Sequence, residues 1–135
     1  MKICDTSVLV DIDRGGSEIE RQVEKLDDEG PHAVSTVTVT ELRLGVHLSD
    51  SDLENRITKL DRLLSRFELV DVSRPVAVAA ADIIATLKEQ GRSLNDLHDV
   101  YIGATARVEQ LPVLTANVSH FQRIEDVTAV DWNEY

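Results

Sequence analysis

Residues 2–10, with the sequence KICDTSVLV, place a short apolar strand at 2–4 directly before Asp5 and a stretch with helical spacing. The same order recurs at 32–36, where the apolar run HAVST is followed at once by a second helical stretch. Short apolar runs that alternate with amphipathic stretches are typical of α/β proteins. These two strand–helix units therefore predict an α/β fold.

Three further apolar runs predict the remaining strands: FELVDV at 67–72, LPVLTA at 111–116 and VTAVDW at 127–132. Successive strands joined by helices need right-handed crossovers, which produce a parallel sheet with helices on both faces. We therefore expect a three-layer α/β/α arrangement with a central parallel sheet of about five strands. With 135 residues, the chain has the length of a single domain, 1–135.

Two helix starts carry cap signals. Ser17 and Glu20 have the spacing of a capping box, which predicts a helix with Ser17 as its N-cap that Gly30 ends. Ser73 as a cap and Pro75 in the first turn predict the start of an alanine-rich helix. Both signals agree with helices that fill the gaps between the predicted strands.

The composition excludes several classes of protein. With 42% apolar and 29% charged residues, the chain is neither disordered nor collagen-like nor a coiled coil. No apolar run approaches the roughly 20 residues that span a bilayer, and no export signal is visible. The single cysteine, Cys4, cannot form an intramolecular disulfide, so a cytoplasmic location without membrane contact is expected. The net charge of −11 argues against non-specific binding to a polyanion.

Several polar residues stand where the predicted strands end or where a helix begins: Asp5, Glu41, Asp96, Asp99, Thr115 and Asn117. The carboxyl ends of parallel strands share one edge of a sheet, where α/β proteins bind ligands, so we expect these residues to converge. Carboxylates gathered in this way repel one another, and a hard divalent ion such as Mg²⁺ or Mn²⁺ relieves the repulsion. The pattern favours a metal-assisted phosphodiesterase.

Each of these acids also has a purely structural interpretation. Asp5 has the position of an N-cap, and Glu41 has the spacing of a capping box with Thr38. The two aspartates at the start of the later helix could interact with its dipole. Gly103, on the same predicted face as Asp99, serves either close helix packing or room at the site. Independent caps, however, have no reason to follow successive strands along one edge.

Four stretches together resemble the PIN-domain ribonucleases in order and approximate spacing: ICDTSVLVDI at 3–12, TVTVTELRLGV at 36–46, LNDLHDVYIGATA at 94–106 and LPVLTANVSHF at 111–121. The resemblance spans essentially the whole chain. The short single-domain form is similar to the VapC toxins of toxin–antitoxin pairs. A PIN-like fold is therefore implied for the domain at 1–135.

The resemblance implies roles for the acidic residues. Asp5 corresponds to the first invariant acid of the family, Glu41 to the second and Asp99, which precedes IGATA, to the third. Asn117 falls on the fourth catalytic position, where many members have aspartate, and its amide supplies no negative charge. Asp5, Glu41 and Asp99 are the implied ligands of Mg²⁺ or Mn²⁺. Candidates for supporting contacts around the ligands, to metal-bound water or to phosphate are Asp96, Thr6, Ser7 and Thr115.

The implied activity is that of a metal-dependent endoribonuclease, the toxin of a toxin–antitoxin pair. The 2′-hydroxyl of the RNA takes no part in such hydrolysis, so products with 5′-phosphate and 3′-hydroxyl ends are expected. The implied partners are RNA, a VapB-like antitoxin and a second copy of the chain in a homodimer. The apolar stripes at 53–67 and at Ile19, Val23 and Leu26 either pack on the sheet or form a groove for an antitoxin peptide.

Two other functions are compatible with an α/β fold. A phosphoacceptor signalling domain needs an acceptor aspartate after the third strand, where Asp71 stands, and a lysine near the end of the fifth, but no lysine follows Lys88. A non-catalytic interaction module with a PIN fold is favoured only by Asn117. The retained acids oppose this second alternative.

The histidines of the chain are His32, His47, His98 and His120. They show no spacing typical of metal ligands, so a zinc site is not expected. His98 and His120 lie near the predicted site in sequence, but the sequence assigns neither a catalytic role.

Overall fold

All five predicted strands form in the computed structural model, which describes residues 1–49, 52–92 and 96–135. They are β1 (Ile3–Cys4), β2 (Ala33–Ser35), β3 (Glu68–Val70), β4 (Val113–Thr115) and β5 (Ala129–Asp131). Every pairing between neighbouring strands is parallel, and the strands lie in the order β3-β2-β1-β4-β5. The predicted α/β class and the parallel sheet are confirmed.

The helices form two layers, one on each face of the sheet. Their bounds are α1 (Thr6–Arg14), α2 (Ser17–Asp28), α3 (Thr36–His47), α4 (Leu53–Leu64), α5 (Arg74–Glu89), α6 (Leu97–Glu109) and α7 (Val118–Gln122), with a 3₁₀ turn at Trp132–Glu134. One buried cluster joins α5, α6 and α7 to the sheet, and a second joins α1, α2, α3 and α4 to its other face. This is the predicted three-layer arrangement. Within the described ranges, no helix is long and apolar enough to cross a membrane.

Neighbouring residues of each central strand supply opposite faces of the sheet. Ile3 of β1 and Val113 of β4 lie in the cluster with α5 and α6, whereas Cys4 and Leu114, the next residues, lie in the cluster with α1 to α4. Side chains alternate along a strand, and both faces of a parallel sheet are covered. This explains why the strands read as continuous apolar runs in the sequence.

The chain reverses its direction of travel across the sheet between β1 and β4. It adds β2 and β3 on one side of β1, then crosses back to add β4 and β5 on the other side. The Asp5 N–H donates to the Leu114 carbonyl at 2.9 Å, so the β1–β4 ladder continues up to the acid. A crevice opens outside the carboxyl ends of the strands at such a switch point. The topology therefore puts the segments that follow β1 and β4 at a ligand-binding edge.

One predicted cap is wrong and one is confirmed. The N-cap of α2 is Gly16, not Ser17, and Gly16 makes no side-chain cap. Its φ of 121° is open to glycine but not to serine, and its carbonyl accepts from the Glu20 N–H at 2.9 Å, so the helix begins one residue earlier than a capping box requires. Ser73 does cap α5, with its hydroxyl accepting from the Val76 N–H.

Gly103 serves close packing rather than space at the site. A Cβ atom at this position would lie 2.6 Å from Cδ1 of Ile124, a buried residue after α7. The absence of a side chain lets α6 approach the segment that follows α7. Of the two interpretations left open by the sequence, helix packing is the one that the contacts support. The residues at 94–95, which open the third family-like stretch, lie outside the described ranges.

His32, at the start of β2, joins two elements through both ring nitrogens. Its Nδ1 accepts from the Lys2 N–H at 3.1 Å, so the Nε2–H donates to the Leu26 carbonyl, also at 3.1 Å. The residue is buried, and burial lowers the pKa of the ring below its ordinary value. Protonation at Nδ1 would remove the acceptor that Lys2 uses.

We predict that His32 contributes to acid destabilisation of the fold. Because its pKa is lower in the folded state than the roughly 6.5 of an unfolded chain, the unfolded state takes up more protons as the pH falls below that value. The free energy of unfolding should therefore fall with pH in this window, and His32→Gln should flatten the slope. Urea unfolding at several pH values measures it, with the exposed His47→Gln as control. Equal slopes for wild type and His32→Gln would contradict the assignment.

Candidate active site

Asp5 is both a helix cap and the most constrained acid of the site. It is 4% exposed, stands directly after β1 and is the N-cap of α1. Its Oδ1 accepts from the Thr6 N–H at 2.8 Å, and its Oδ2 accepts from the hydroxyls of Ser7 at 2.9 Å and Thr115 at 2.8 Å. The capping interpretation is therefore correct for Asp5, and it does not compete with a role at the site. Capping fixes the direction of the carboxylate.

The turn after β4 polarises the two hydroxyls that bind Asp5. The Ala116 N–H donates to Ser7 Oγ at 3.1 Å, and the Asn117 N–H donates to Thr115 Oγ1 at 2.9 Å. Each hydroxyl thus accepts from the backbone and donates to the carboxylate, and such chains strengthen each bond. The hydroxyl protons of Ser7 and Thr115 are both donated to Asp5. These side chains support the acid in this structure.

Glu41 lies in the second turn of α3, on the other side of Thr6. The Thr6 hydroxyl donates to Glu41 Oε1 at 2.8 Å and lies 3.0 Å from the Thr38 hydroxyl. Since the single proton of Thr6 goes to Glu41, Thr38 is the donor to Thr6. A capping box between Thr38 and Glu41 is wrong, because the N-cap of α3 is Ser35, whose hydroxyl accepts from the Val37 N–H. Thr6 therefore contacts both acids: its N–H donates to Asp5 and its hydroxyl donates to Glu41.

The other two acids stand at the start of α6. Asp96 is the N-cap, and its Oδ1 accepts from the His98 N–H at 3.2 Å. Asp99 lies in the first turn, is 6% exposed and has its Oδ2 2.7 Å from Nδ1 of His120 in α7. The His98 ring lies between two acids, with Nδ1 3.3 Å from Asp96 Oδ1 and 3.7 Å from Glu41 Oε2. The two histidines therefore contact three of the four acids.

Asn117 differs from the acids in its surroundings. It precedes α7 and is exposed, and its side chain makes no cap bond to that helix. Its backbone N–H, rather than its amide, contributes to the network through Thr115. The position at the carboxyl end of β4 agrees with the sequence prediction. A catalytic role for its side chain stays a prediction.

The charges of the acids act on one another. Burial, and then the charges of Asp5 and Asp96, raise the pKa of both Glu41 and Asp99 above the ordinary values. The hydrogen bond from Thr6 and the adjacent His98 oppose the increase at Glu41. At Asp99 the hydrogen bond from His120 opposes it. The acids that the sequence predicted at one edge thus share an electrostatic environment, in which the charges of Asp5 and Asp96 act on both Glu41 and Asp99.

The donor set fits a hard divalent ion in its chemistry but is not closed around one. Carboxylate oxygens are what Mg²⁺ and Mn²⁺ prefer. Burial and neighbouring negative charge raise the pKa of Glu41 and Asp99, and a bound cation would oppose that increase. Across 1–49, 52–92 and 96–135, no three His, Cys, Asp or Glu residues lie together closely enough to hold an ion. The neighbouring hydroxyls and imidazoles occupy several of the oxygens.

His98 and His120 are the residues that sequence reasoning missed. The spacing of the histidines excluded a zinc site, and nothing in the sequence assigned a role to the two that lie near the predicted site. The available signal was position: His98 directly precedes Asp99, and His120 follows the exit of β4 by one helical turn. Both positions belong to the edge where the acids were predicted.

A groove of about 710 Å³ opens beside Glu41, between α1, α3 and α4. Its apolar lining is Val10, Leu42, Val46, Leu60 and Leu63, and its basic lining is Arg14, Arg56 and Lys59. The predicted stripe of α4 contributes to it while also packing in the core. The stripe of α2 does not line it: Ile19 and Leu26 pack in the core cluster. The groove thus includes α4, as the sequence suggested, but its other walls are α1 and α3 instead of α2.

Comparison with known proteins assigns the family. The PIN domain family model matches residues 2–127. The chain belongs to the PIN-domain family. It is 30% identical over 124 residues to ribonuclease VapC1 of Methanocaldococcus jannaschii, covering 92% of this chain and 81% of the relative. It is 28% identical over 106 residues to the tRNA(fMet)-specific endonuclease VapC of Shigella flexneri, covering 78% and 79%.

A solved structure gives the same assignment for the fold. The toxin–antitoxin complex VapBC2 from Rickettsia felis, bound to a DNA fragment from their promoter, contains a chain that matches with a TM-score of 0.87 and 25% identity. The match covers 97% of this chain and 98% of that one. The PIN-like fold expected from the four sequence stretches is confirmed.

We predict that Asp99→Asn stabilises the protein without metal. The pKa of Asp99 is higher in the folded than in the unfolded state, so its ionisation costs stability at neutral pH. The asparagine oxygen can still accept from His120. The melting temperature in EDTA at pH 7 should rise by a few degrees, and the gain should vanish below about pH 3.9, where the unfolded carboxyl is also protonated. The exposed Asp82→Asn is the control. A variant that melts at or below wild type would contradict the prediction.

Proposed function

We propose that this PIN-domain protein is a Mg²⁺- or Mn²⁺-dependent endoribonuclease that acts as the toxin of a toxin–antitoxin pair. The observation that carries the proposal is that Asp5 lies close enough to both Glu41 and Asp99, at the carboxyl edge of the sheet, for its charge to act on each of them. The named relatives are VapC ribonucleases, which supports cleavage of RNA. The four family-like stretches of the sequence point to the same activity.

The proposed ligands are Asp5 and Asp99, with Glu41 binding directly or through water. When bound, Mg²⁺ or Mn²⁺ supplies Lewis-acid chemistry, polarising a phosphate oxygen and strengthening water as a nucleophile at neutral pH. The chain supplies the orientation. Asp5 is held by three hydrogen bonds, and the Thr6 hydroxyl holds one oxygen of Glu41. Attack by water leaves a 5′-phosphate and a 3′-hydroxyl.

Positive charge near the acids supports binding of RNA by a chain with a net charge of −11. Arg14, Arg56 and Lys59 line the groove that opens beside Glu41. Lys59 also pairs with Asp13 at 3.3 Å. Arginine binds phosphate through bidentate hydrogen bonds, and such local contacts offset the repulsion of the acidic surface. Transfer RNA is the first substrate class to test, since the Shigella relative is named for a transfer RNA.

The proposed inhibitor is a VapB-like antitoxin, with a segment that lies in the groove between α1, α3 and α4. An amphipathic peptide could cover the apolar lining and meet the basic side chains with acidic ones. Thr6 and Glu41 also line the groove, so a bound segment would cover Glu41. The Rickettsia structure is a VapBC complex, which supports a partner of this class. A homodimer remains a prediction from the family resemblance.

The competing functions have less support. Asp71, the only candidate for a phosphoacceptor, follows β3 at the edge of the sheet, whereas the coupled acids lie beside the central β1. A non-catalytic module would not need Glu41 and Asp99 in surroundings that raise their pKa. The metal-dependent nuclease accounts for both observations.

We predict that Asp5→Asn abolishes cleavage. Supporting residues around metal sites contribute about 10- to 100-fold to activity, so loss of a ligand should cost on the order of 100-fold or more. RNA cleavage is measured with Mg²⁺ or Mn²⁺ and again with chelator, using the exposed Asp28→Asn as control. The wild type should be active only with metal and should give 5′-phosphate and 3′-hydroxyl ends. Wild-type turnover in Asp5→Asn, or 2′,3′-cyclic phosphate ends, would contradict the mechanism.

We also predict that Gly45→Trp weakens inhibition by the antitoxin. Gly45 lies in α3 and lines the groove, and a Cβ there meets no atom within 4 Å, so the indole would enter the groove without disturbing the core. Inhibition of RNA cleavage by the cognate antitoxin is titrated for each variant. Ala85→Trp, on an exposed position of α5 in the opposite helix layer, is the matched control. Equal inhibition of Gly45→Trp and Ala85→Trp would place the antitoxin elsewhere.

A further inference from the structure

We infer that His120 is a positioning residue, whose Nδ1 fixes the orientation of the Asp99 carboxylate, a proposed ligand of the divalent ion. The observation is the 2.7 Å contact between His120 Nδ1 and Asp99 Oδ2. The role rests on the proposed metal-dependent function. It goes beyond that function, because the sequence assigned His120 no part in the site.

The direction of this hydrogen bond follows from the chemistry of its partners. An ionised carboxylate can only accept, so Nδ1 carries the proton and donates to Oδ2. Asp99 makes no other side-chain hydrogen bond to the described residues, whereas Asp5 accepts three and Glu41 accepts one from Thr6. The orientation of Asp99 therefore depends on one neighbour, His120, whereas that of Asp5 is shared among three.

The position of His120 is itself fixed by the backbone of α7. Its N–H donates to the Asn117 carbonyl at 3.0 Å, and its carbonyl accepts from Nε of Arg123 at 3.1 Å. The next residue, Phe121, is fully buried in the core and anchors the helix on the sheet. The imidazole is half-exposed, so the His120 side chain is not part of the hydrophobic core. The backbone of His120 is therefore fixed, while its imidazole remains accessible to solvent.

The segment from β4 to α7 contacts two acids at once. At one end Thr115 donates to Asp5, and at the other end His120 contacts Asp99. The Asn117 N–H, between them, donates to Thr115. A single short segment thus sets the orientation of the first and third predicted ligands relative to each other. Supporting hydrogen bonds of this kind are worth about 10- to 100-fold in metal affinity.

The test compares three variants of the full chain without antitoxin. His120→Ala removes the donor, and His120→Asn places an amide N–H near the position of Nδ1. His47→Ala, at an exposed histidine of α3, is the matched control. Binding of Mn²⁺ alone is measured by electron paramagnetic resonance, and circular dichroism in EDTA checks the fold. Cleavage kinetics at saturating Mn²⁺ are measured separately.

His120→Ala should weaken Mn²⁺ binding about 10- to 100-fold, while His120→Asn restores most of the affinity and His47→Ala changes nothing. The kcat of His120→Ala should fall, with little change in its KM for RNA. Unchanged Mn²⁺ affinity in His120→Ala, or an equal loss in His120→Asn, would overturn the positioning role alone if the wild type binds Mn²⁺. Absence of Mn²⁺ binding by the wild type would overturn both this role and the metal-dependent function.

Discussion

The carboxylate of Asp5 accepts hydrogen bonds from a helix N-terminus and from two hydroxyls, and these bonds join α1 to the end of β4. The same bonds stabilise a buried charge at the switch point of the sheet. Without them, an ionised carboxylate with 4% exposure would be costly beside other acids. Local polar groups of the fold therefore hold the Asp5 carboxylate in place. Glu41 of α3 and Asp99 of α6 lie within the electrostatic influence of that carboxylate.

The three acids are stabilised to different degrees. Asp5 accepts from one backbone N–H and two hydroxyls, whereas Glu41 and Asp99 are held in surroundings that raise their pKa. A site optimised only for stability would replace one of the latter two with a neutral residue. Retention of this repulsion is typical of sites where function costs stability. A divalent ion would convert the repulsion into binding energy.

Much of the fold could be predicted from the sequence because the relevant signals are local. Each strand is a short apolar run that both helix layers cover, and Asp5 and Glu41 lie just after β1 and β2, at one edge of a parallel sheet. The cap of α2 could not be predicted, because Gly16 and Ser17 offer alternative starts and only the backbone angle at Gly16 decides between them. The predicted capping box between Thr38 and Glu41 is wrong because α3 begins earlier, with Ser35 as its N-cap.

The contacts of the site join residues that are far apart in the sequence, and sequence patterns do not show which of them meet in space. His120 meets Asp99 across 21 positions of sequence, and Thr6 meets Glu41 across 35. Which helices form the groove depends on how α3 and α4 pack against α1, whereas amphipathic spacing gives only the face that each helix buries. The sequence named the hydroxyls of Thr6, Ser7 and Thr115 as candidates for supporting contacts, but not which acid each one binds. It assigned no role to the two imidazoles.

The most direct measurement of the central claim is anomalous scattering from crystals soaked with Mn²⁺. If the carboxylates gathered at this edge exist to hold a cation, a Mn²⁺ peak will lie in contact with oxygens of Asp5 and Asp99, with Glu41 bound directly or through a water molecule. A peak bound only to surface acids elsewhere, or none at saturating Mn²⁺, would contradict the account.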